Sequence, residues 1–182
     1  MKQFIILMCI LFSAKAINAQ QKYYTKNGTI KFEASVPSFE EIKAANNSVT
    51  AILNTKTHEI AALALMKAFR FKIALMEEHF NENYVESDEY PKATFDGKLG
   101  DFDFYKANSK AQKVELEGNL HLHNKSKKIK TIATISKKDN TISLTAEFKV
   151  KPEDFDIKIP SIVQEKIAKE IIVNVSFNLK EK

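Results

Sequence analysis

Apolar and polar residues alternate over long stretches of this chain, the pattern expected of β-strands with one buried face. Over residues 29–36, Ile30, Phe32, Ala34 and Val36 point one way, and Lys31, Glu33 and Ser35 point the other. Val49, Ala51 and Leu53 repeat the pattern. Val114, Leu116, Gly118, Leu120 and Leu122 alternate with Glu115, Glu117, Asn119, His121 and His123. Ile142, Leu144, Ala146, Phe148 and Val150 form another apolar face, and Ile171, Val173, Val175, Phe177 and Leu179 a last one. Lys137-Lys138-Asp139-Asn140 separates two such runs and suits a tight hairpin. Many one-sided strands joined by short turns predict an all-β fold, an antiparallel barrel or sandwich in a single domain.

Two segments break the pattern. Residues 59–81 are rich in Ala, Leu, Met, Lys and Glu, so propensity alone predicts a helix, yet Phe69, Phe71 and Ile73 alternate with Arg70 and Lys72 as a strand would. Residues 160–169 place Ser161 three positions before Gln164, the spacing of a capping box at the start of a short helix. Val163 and Ile167 then form its buried stripe.

The amino terminus follows different rules. Lys2 precedes an unbroken apolar run from Phe4 to Phe12, and the small residues Ala14, Ala16 and Ala19 follow. That is the layout of a secretory signal peptide, too short for a permanent membrane span, with cleavage expected after Ala19 or alternatively after Ala16. The expected organisation is a signal peptide over 1–19 and one domain over 20–182, exported to the periplasm or secreted. The single cysteine, Cys9, falls inside the apolar run and is lost with it. The mature chain then has no disulfide, thiol nucleophile or multi-cysteine metal site. Removing Lys2 and Lys15 reduces the formal charge from +5 to 26 − 23 = +3.

Three motifs, in order, resemble the YceI-like family of exported proteins. Tyr90-Pro91-Lys92-Ala93-Thr94-Phe95 resembles its Tyr-Pro entry into a central strand. The run from Gly118 through Leu120, Leu122 and His123 to Lys127 is similar to its Gly-x-Leu-Thr-Leu-His-Gly-x-Thr-Lys strand and turn. Lys151-Pro152-Glu153-Asp154-Phe155-Asp156-Ile157 resembles its Arg-x-Asp-Phe-Gly-Ile segment. His121 replaces the usual Thr, Asn124 and Asp156 each replace a Gly, and Lys151 stands where Arg is common. The resemblance spans residues 27–179 and implies a lipocalin-like antiparallel barrel of about eight strands with one or two short helices. It also implies that part of 59–73 is strand, followed by a short helix near Met76–Asn81. The associated ligands are polyisoprenoid or other amphiphilic lipids.

A barrel of that size either fills with side chains or holds one slender ligand. Its candidate lining combines small inward residues, Ala34, Ala51, Gly118, Ala133 and Ala146, with the large Phe32, Phe69, Phe71, Phe95, Phe148 and Phe177. Leu116 and Leu120 share the inward face. The same residues also describe a core in which small side chains complement large ones. No cofactor is expected beyond a bound polyisoprenoid or fatty-acyl lipid.

His121 and His123, on one face of a strand, and His79, beside Glu77 and Glu78, are the candidates for a metal-dependent hydrolase. The plainer reading makes His123 a structural hydrogen-bonding residue at a turn. No G-x-S-x-G, Walker A or H-E-x-x-H motif is present, so no enzymatic activity is expected. Lys125, Lys127, Lys128 and Lys130 form a basic hairpin suited to anionic membrane or cell-surface contact. With Arg70 the only arginine and no basic stripe interleaved with aromatics, nucleic acid is not an expected partner. The remaining alternative is a protein-interaction module that presents this hairpin or the 81–90 loop on a packed barrel.

Overall fold

The alternating segments form antiparallel strands whose apolar faces turn to one shared interior. The computed structural model describes residues 22–182; the expected signal peptide, 1–19, lies outside them. In chain order the strands are β1 (Lys22–Glu33), β2 (Lys43–Asn54), β3 (Glu59–Leu65), the short β4 (Arg70–Phe71) and β5 (Lys92–Leu99). They continue with β6 (Gln112–Leu122), β7 (Lys125–Lys138), β8 (Thr141–Val150) and β9 (Ile171–Glu181). Helix α1 (Ala74–His79) lies between β4 and β5. The sheet runs β1-β9-β8-β7-β6-β5-β3-β2, and β1 pairs back onto β2, so eight strands close into a barrel as expected. β4 adds only a two-residue pairing, Ala44 with Phe71 and Ala45 with Arg70.

β1 begins earlier than its alternation indicated because its register shifts on either side of Gly28. Tyr23 faces inward at an odd position, whereas Gly28, Ile30 and Phe32 face inward at even ones. A period-of-two reading cannot cross that change of parity. β2 has a matching change between Asn46 and Val49. There the fully buried Asn46 amide donates to the Leu65 carbonyl at 3.0 Å. Its oxygen accepts from the Ser48 N–H at 2.9 Å and from the Ser48 hydroxyl at 3.0 Å, which satisfies the one polar side chain buried in this strand.

The propensity reading of 59–81 as helix is corrected. Residues 59–65 pair with both β2 and β5, and their alternation buries Ile60 and Ala64 in the barrel. Pairing on both sides outweighs a helix preference worth only tenths of a kcal/mol per residue. A 3₁₀ turn (Met66–Ala68) and β4 follow, and helix starts only at Ala74 before passing into a π-helical turn over Phe80–Tyr84. The capping box at Ser161 is also corrected: Ser161–Lys166 is a 3₁₀ helix with no side-chain cap, and its first hydrogen bond runs from the Val163 N–H to the Pro160 carbonyl.

The two ends of the barrel differ. At one end Tyr23, Leu53, Ile60, Leu99, Val114, Ile135, Ile142, Leu144 and Leu179 are buried together and fill the bore. At the other end the long connections gather: 34–42, 66–91 and 151–170. Where β5 meets β6, Gly97 opposes Gly118, and the Phe95 ring lies over both. A Cβ on Gly118 would collide with the Asp96 carbonyl and would lie 2.5 Å from the Gly97 Cα and 2.6 Å from the Phe95 ring. Two of those three neighbours are backbone and cannot turn aside. Gly118→Ala is therefore expected to destabilise the fold by about 1–3 kcal/mol, measured as a lower urea midpoint with an unchanged slope.

Candidate functional site: an apolar cavity at the open end

The end that the core leaves unfilled holds a cavity of about 490 Å³, within the range of about 300–1,000 Å³ usual for small-molecule sites. Its walls come from the strand ends nearest the long connections: Ile30 and Phe32 on β1, Ala64 on β3, Ala93 on β5, Leu120 and Leu122 on β6, Phe148 and Val150 on β8, and Ile171 and Val173 on β9. The connections complete it. Phe39 and Ile42 come from the β1–β2 loop, Met76, Phe80 and Tyr84 from the helical segment, and Phe155, Ile157, Val163 and Ile167 from 151–170.

Four phenylalanines form one side. Phe32 packs against Phe69, Phe71 and Phe80 with ring centroids 5.5, 5.6 and 5.4 Å apart, and Phe80 lies 5.8 Å from Phe69 and 5.2 Å from Phe71. Arg70, between two of these phenylalanines, faces outward and donates to Glu77 at 2.8 Å, while the other Glu77 oxygen accepts from the Phe71 N–H at 3.1 Å. These bonds fasten α1 to β4 and present Phe80 to the cluster. The charged and polar lining residues are few: Glu40, His79, Tyr84, Lys151 and Lys166. Burial pushes the Tyr84 phenol above its ordinary range, so its hydroxyl remains neutral.

The expected lining residues divide between the two ends. Phe32, Ala34, Phe69, Phe71, Leu120 and Phe148 line the cavity. Ala51, Leu116, Ala133, Ala146 and Phe177 belong to the packed core, and Phe95 packs against that core. Gly118 lies under the Phe95 ring. The alternating faces mark what points inward, but alternation does not say how far along the bore the filling stops. Met76, Phe80 and Tyr84 were missed; their spacing of four is a helical stripe, concealed because the segment around them mixes strand and helix signals.

The histidines do not converge. His121 faces the outer wall, where its Nε2 lies 2.7 Å from Asp96. His123 has left the strand: it and Asn124 adopt φ of 50° and 58° in the two-residue β6–β7 turn, so the shared strand face expected for the pair does not exist. His123 Nδ1 donates to the Phe155 carbonyl at 2.9 Å, its Nε2 lies 2.8 Å from a Glu86 carboxylate oxygen, and the Tyr90 ring packs on it with centroids 4.3 Å apart. His79 lies among the cavity-lining residues. Among the described residues no three His, Cys, Asp or Glu side chains group to hold a metal ion.

The four lysines also sit differently from expectation. They follow the turn on β7, and each pairs with an acid: Lys125 with Asp156 at 2.6 Å, Lys127 with Asp154 at 2.7 Å, Lys128 with Glu117 at 2.6 Å and Lys130 with Glu115 at 3.5 Å. The Lys125 hydrogen bond and charge hold the Asp156 carboxyl below the usual carboxylate range, and Lys128 does the same for Glu117. A lowered carboxyl pKa contributes stability above its unfolded value, and that contribution is lost as pH falls through the folded value.

The chain folds as an antiparallel eight-stranded barrel packed at one end and open to an apolar cavity at the other. The chain belongs to the YceI-like family, whose domain model matches residues 17–179. Sequence comparison with curated proteins finds no significant match. Among solved structures, a polyisoprenoid binding domain from Saccharophagus degradans, implicated in plant cell wall breakdown, superposes with a TM-score of 0.76 at 13% identity, covering 90% of this chain and 99% of that one. Burkholderia cenocepacia BcnA gives 0.68 at 12% identity, covering 84% and 95%. A YceI protein of Campylobacter jejuni gives 0.65 at 16% identity, covering 81% and 90%. At these identities the likeness establishes the fold.

Two outcomes test the contacts around the mouth. His123→Ala leaves the carbonyl of the fully buried Phe155 without its donor, and we expect a loss of about 1–3 kcal/mol in urea unfolding. Lys125→Met should move the Asp156 titration midpoint, followed by NMR, upward to the ordinary carboxylate range; an unmoved midpoint would show that the pairing does not persist in solution.

Proposed function

We propose that this protein is an exported binding protein that holds an amphiphilic, isoprenoid- or fatty-acid-like lipid in the barrel, for storage, transport or sequestration and without bond chemistry. The observation that carries this reading is the apolar cavity at the open end, walled by the Phe32–Phe69–Phe71–Phe80 cluster. A hydrocarbon chain entering such a site gains about 0.8 kcal/mol for each methylene removed from water. Few directional polar contacts are then needed. Two further features support the reading: membership of the YceI-like family and the likeness of fold to a domain described as polyisoprenoid binding. Export rests on the signal-peptide pattern of residues 1–19.

Because Lys125, Lys127, Lys128 and Lys130 are each matched by an acid, the proposed affinity resides in the apolar chain of the lipid rather than in a basic patch. Native mass spectrometry of gently purified protein should show a co-purified apolar ligand, and delipidated protein should take up prenyl or fatty-acyl probes. Phe148→Glu puts a charge into the cavity wall and is expected to reduce that uptake by at least about tenfold, with the fold retained by circular dichroism. Repeated recovery of ligand-free wild type that ignores both kinds of probe would refute the proposal.

A further inference from the structure

Unmatched lysines gather at the packed end of the barrel. Along β7 the change is direct: Lys125, Lys127, Lys128 and Lys130, towards the open end, each pair with an acid, whereas Lys137 and Lys138, at the far end, form no ion pair. Strand pairing brings further lysines beside them. Lys138 and Lys180 are both cross-strand partners of Thr141, so two strand spacings of about 4.8 Å separate them. On its other side Lys180 pairs with Tyr24, and Lys22 is the next residue on that face of β1. The Lys182 N–H donates to the Lys22 carbonyl at 3.0 Å. Lys22 also pairs with Asn54, whose side-chain oxygen accepts from the Lys56 N–H at 3.0 Å. Among the described residues none of these six lysines forms an ion pair. The acids of the same strand ends and turns are Glu59, Asp139 and Glu181, a balance of 6 − 3 = +3. The 100–111 connection, whose Asn108 carbonyl accepts from the Lys137 N–H, adds Asp101 and Asp103 against Lys106 and Lys110 and leaves that balance unchanged.

The open end carries the opposite charge. Its connections, 34–42, 66–91 and 151–170, hold seven lysines and arginines against 13 aspartates and glutamates, or 7 − 13 = −6. The basic face is also not uniformly polar. Tyr24 and Ile52 are cross-strand partners on the outer wall, both exposed, with Lys22 and Lys180 beside the ring. A tyrosine and an aliphatic side chain framed by lysines suit a water–lipid interface, where the ring sits at headgroup level and lysine stems carry their charges to the phosphates. A soluble acidic polymer would engage the charges and leave the apolar pair unused.

We infer that the packed end docks on an anionic lipid surface through Lys22, Lys138, Lys180 and Lys182, set around Tyr24 and Ile52. The same surface repels the acidic connections, so the docked barrel holds the mouth of its cavity away from the bilayer. Docking of this face does not depend on what fills the cavity. Each lysine held near such a surface strengthens binding by a factor of about five, and salt weakens the attraction.

The chain contains no tryptophan, so a single substitution reports on each end. Tyr24→Trp probes the basic face. Ile162→Trp probes the mouth, where Ile162 is 86% exposed and its neighbour Val163 lines the cavity. Protein recovered after export is titrated with phosphatidylglycerol vesicles and with phosphatidylcholine vesicles. Emission of Tyr24→Trp should move to shorter wavelength with phosphatidylglycerol alone and return on addition of salt, while that of Ile162→Trp stays unmoved. Combining Lys138→Glu and Lys180→Glu should weaken co-sedimentation with phosphatidylglycerol vesicles by at least about tenfold, with circular dichroism unchanged. If Tyr24→Trp does not fold, co-sedimentation of this double variant decides. The inference is overturned by wild type that binds neither vesicle, or both equally, and by a double variant that sediments as wild type does. A shift in Ile162→Trp, alone or together with Tyr24→Trp, overturns it as well. Wild type that ignores both vesicles but is retained by soluble polyglutamate has an acidic polymer as its partner, and the lipid-surface inference fails.

Discussion

Closure of the sheet is the constraint on which the rest of this structure depends. β1 pairs with β9 on one side and β2 on the other, so each of the eight long strands has a neighbour on both sides, β7 meeting β8 over Ala133–Lys138. Once closed, the barrel has a single interior, and every inward residue either packs there or faces empty space. The packed end follows from side-chain volumes: Leu53, Leu99, Ile135, Ile142, Leu144 and Leu179 meet in it with almost no exposed surface. Small residues such as Ala51 and Ala133 make room for them rather than leaving a channel. At the open end no such set meets across the bore, and the walls are extended by the connections instead.

Those connections are fixed chiefly at one corner. The three motifs that resemble the YceI-like family are far apart in sequence yet meet there: Tyr90 packs on His123, and His123 binds the carbonyl of Phe155. Phe155 is fully buried and lines the cavity, so the histidine positions part of the ligand-facing wall without belonging to it. Glu86 on the second ring nitrogen ties in the segment after the helical turn, and Asp156, fixed by Lys125, closes a 3₁₀ turn over Pro152–Phe155 in the left-handed conformation. Two departures from the family pattern become intelligible here. Asn124 and Asp156 occupy positions where Gly is usual, and both have positive φ, of 58° and 55°. Asn and Asp are the non-glycine residues that tolerate this conformation best.

Charge is organised separately from the site. On the outer wall Lys43, Lys128 and Lys130 pair with acids on the adjacent strand, Glu33, Glu117 and Glu115, while the cavity is lined mainly by hydrocarbon. Exposed pairs of this kind contribute little to stability. Their consequence is that Lys125, Lys127, Lys128 and Lys130 do not form an unmatched basic patch.

Much of this was legible along the chain, and the limit of legibility is physical. Alternation fixes which residues of β6, β8, β9 and the Val49–Leu53 part of β2 point inward, because successive side chains of a regular strand take opposite faces whatever surrounds them. Ordered motifs identified the family and the barrel. Segments whose fate depends on distant partners were not legible: 59–65 is strand because β2 and β5 flank it, and the first residues of β1 lie beyond a bulge that reverses parity. The division of the inward face was equally hidden. Phe32 and Phe177 look alike in sequence, yet one lines a cavity and the other is buried against Gly28. The sequence by itself determined the strands, their inward faces and the apolar character of the interior, all consequences of local geometry. Only the tertiary structure decided where the bore is filled and where it is open, because that depends on how side chains from eight strands and three long connections share one volume.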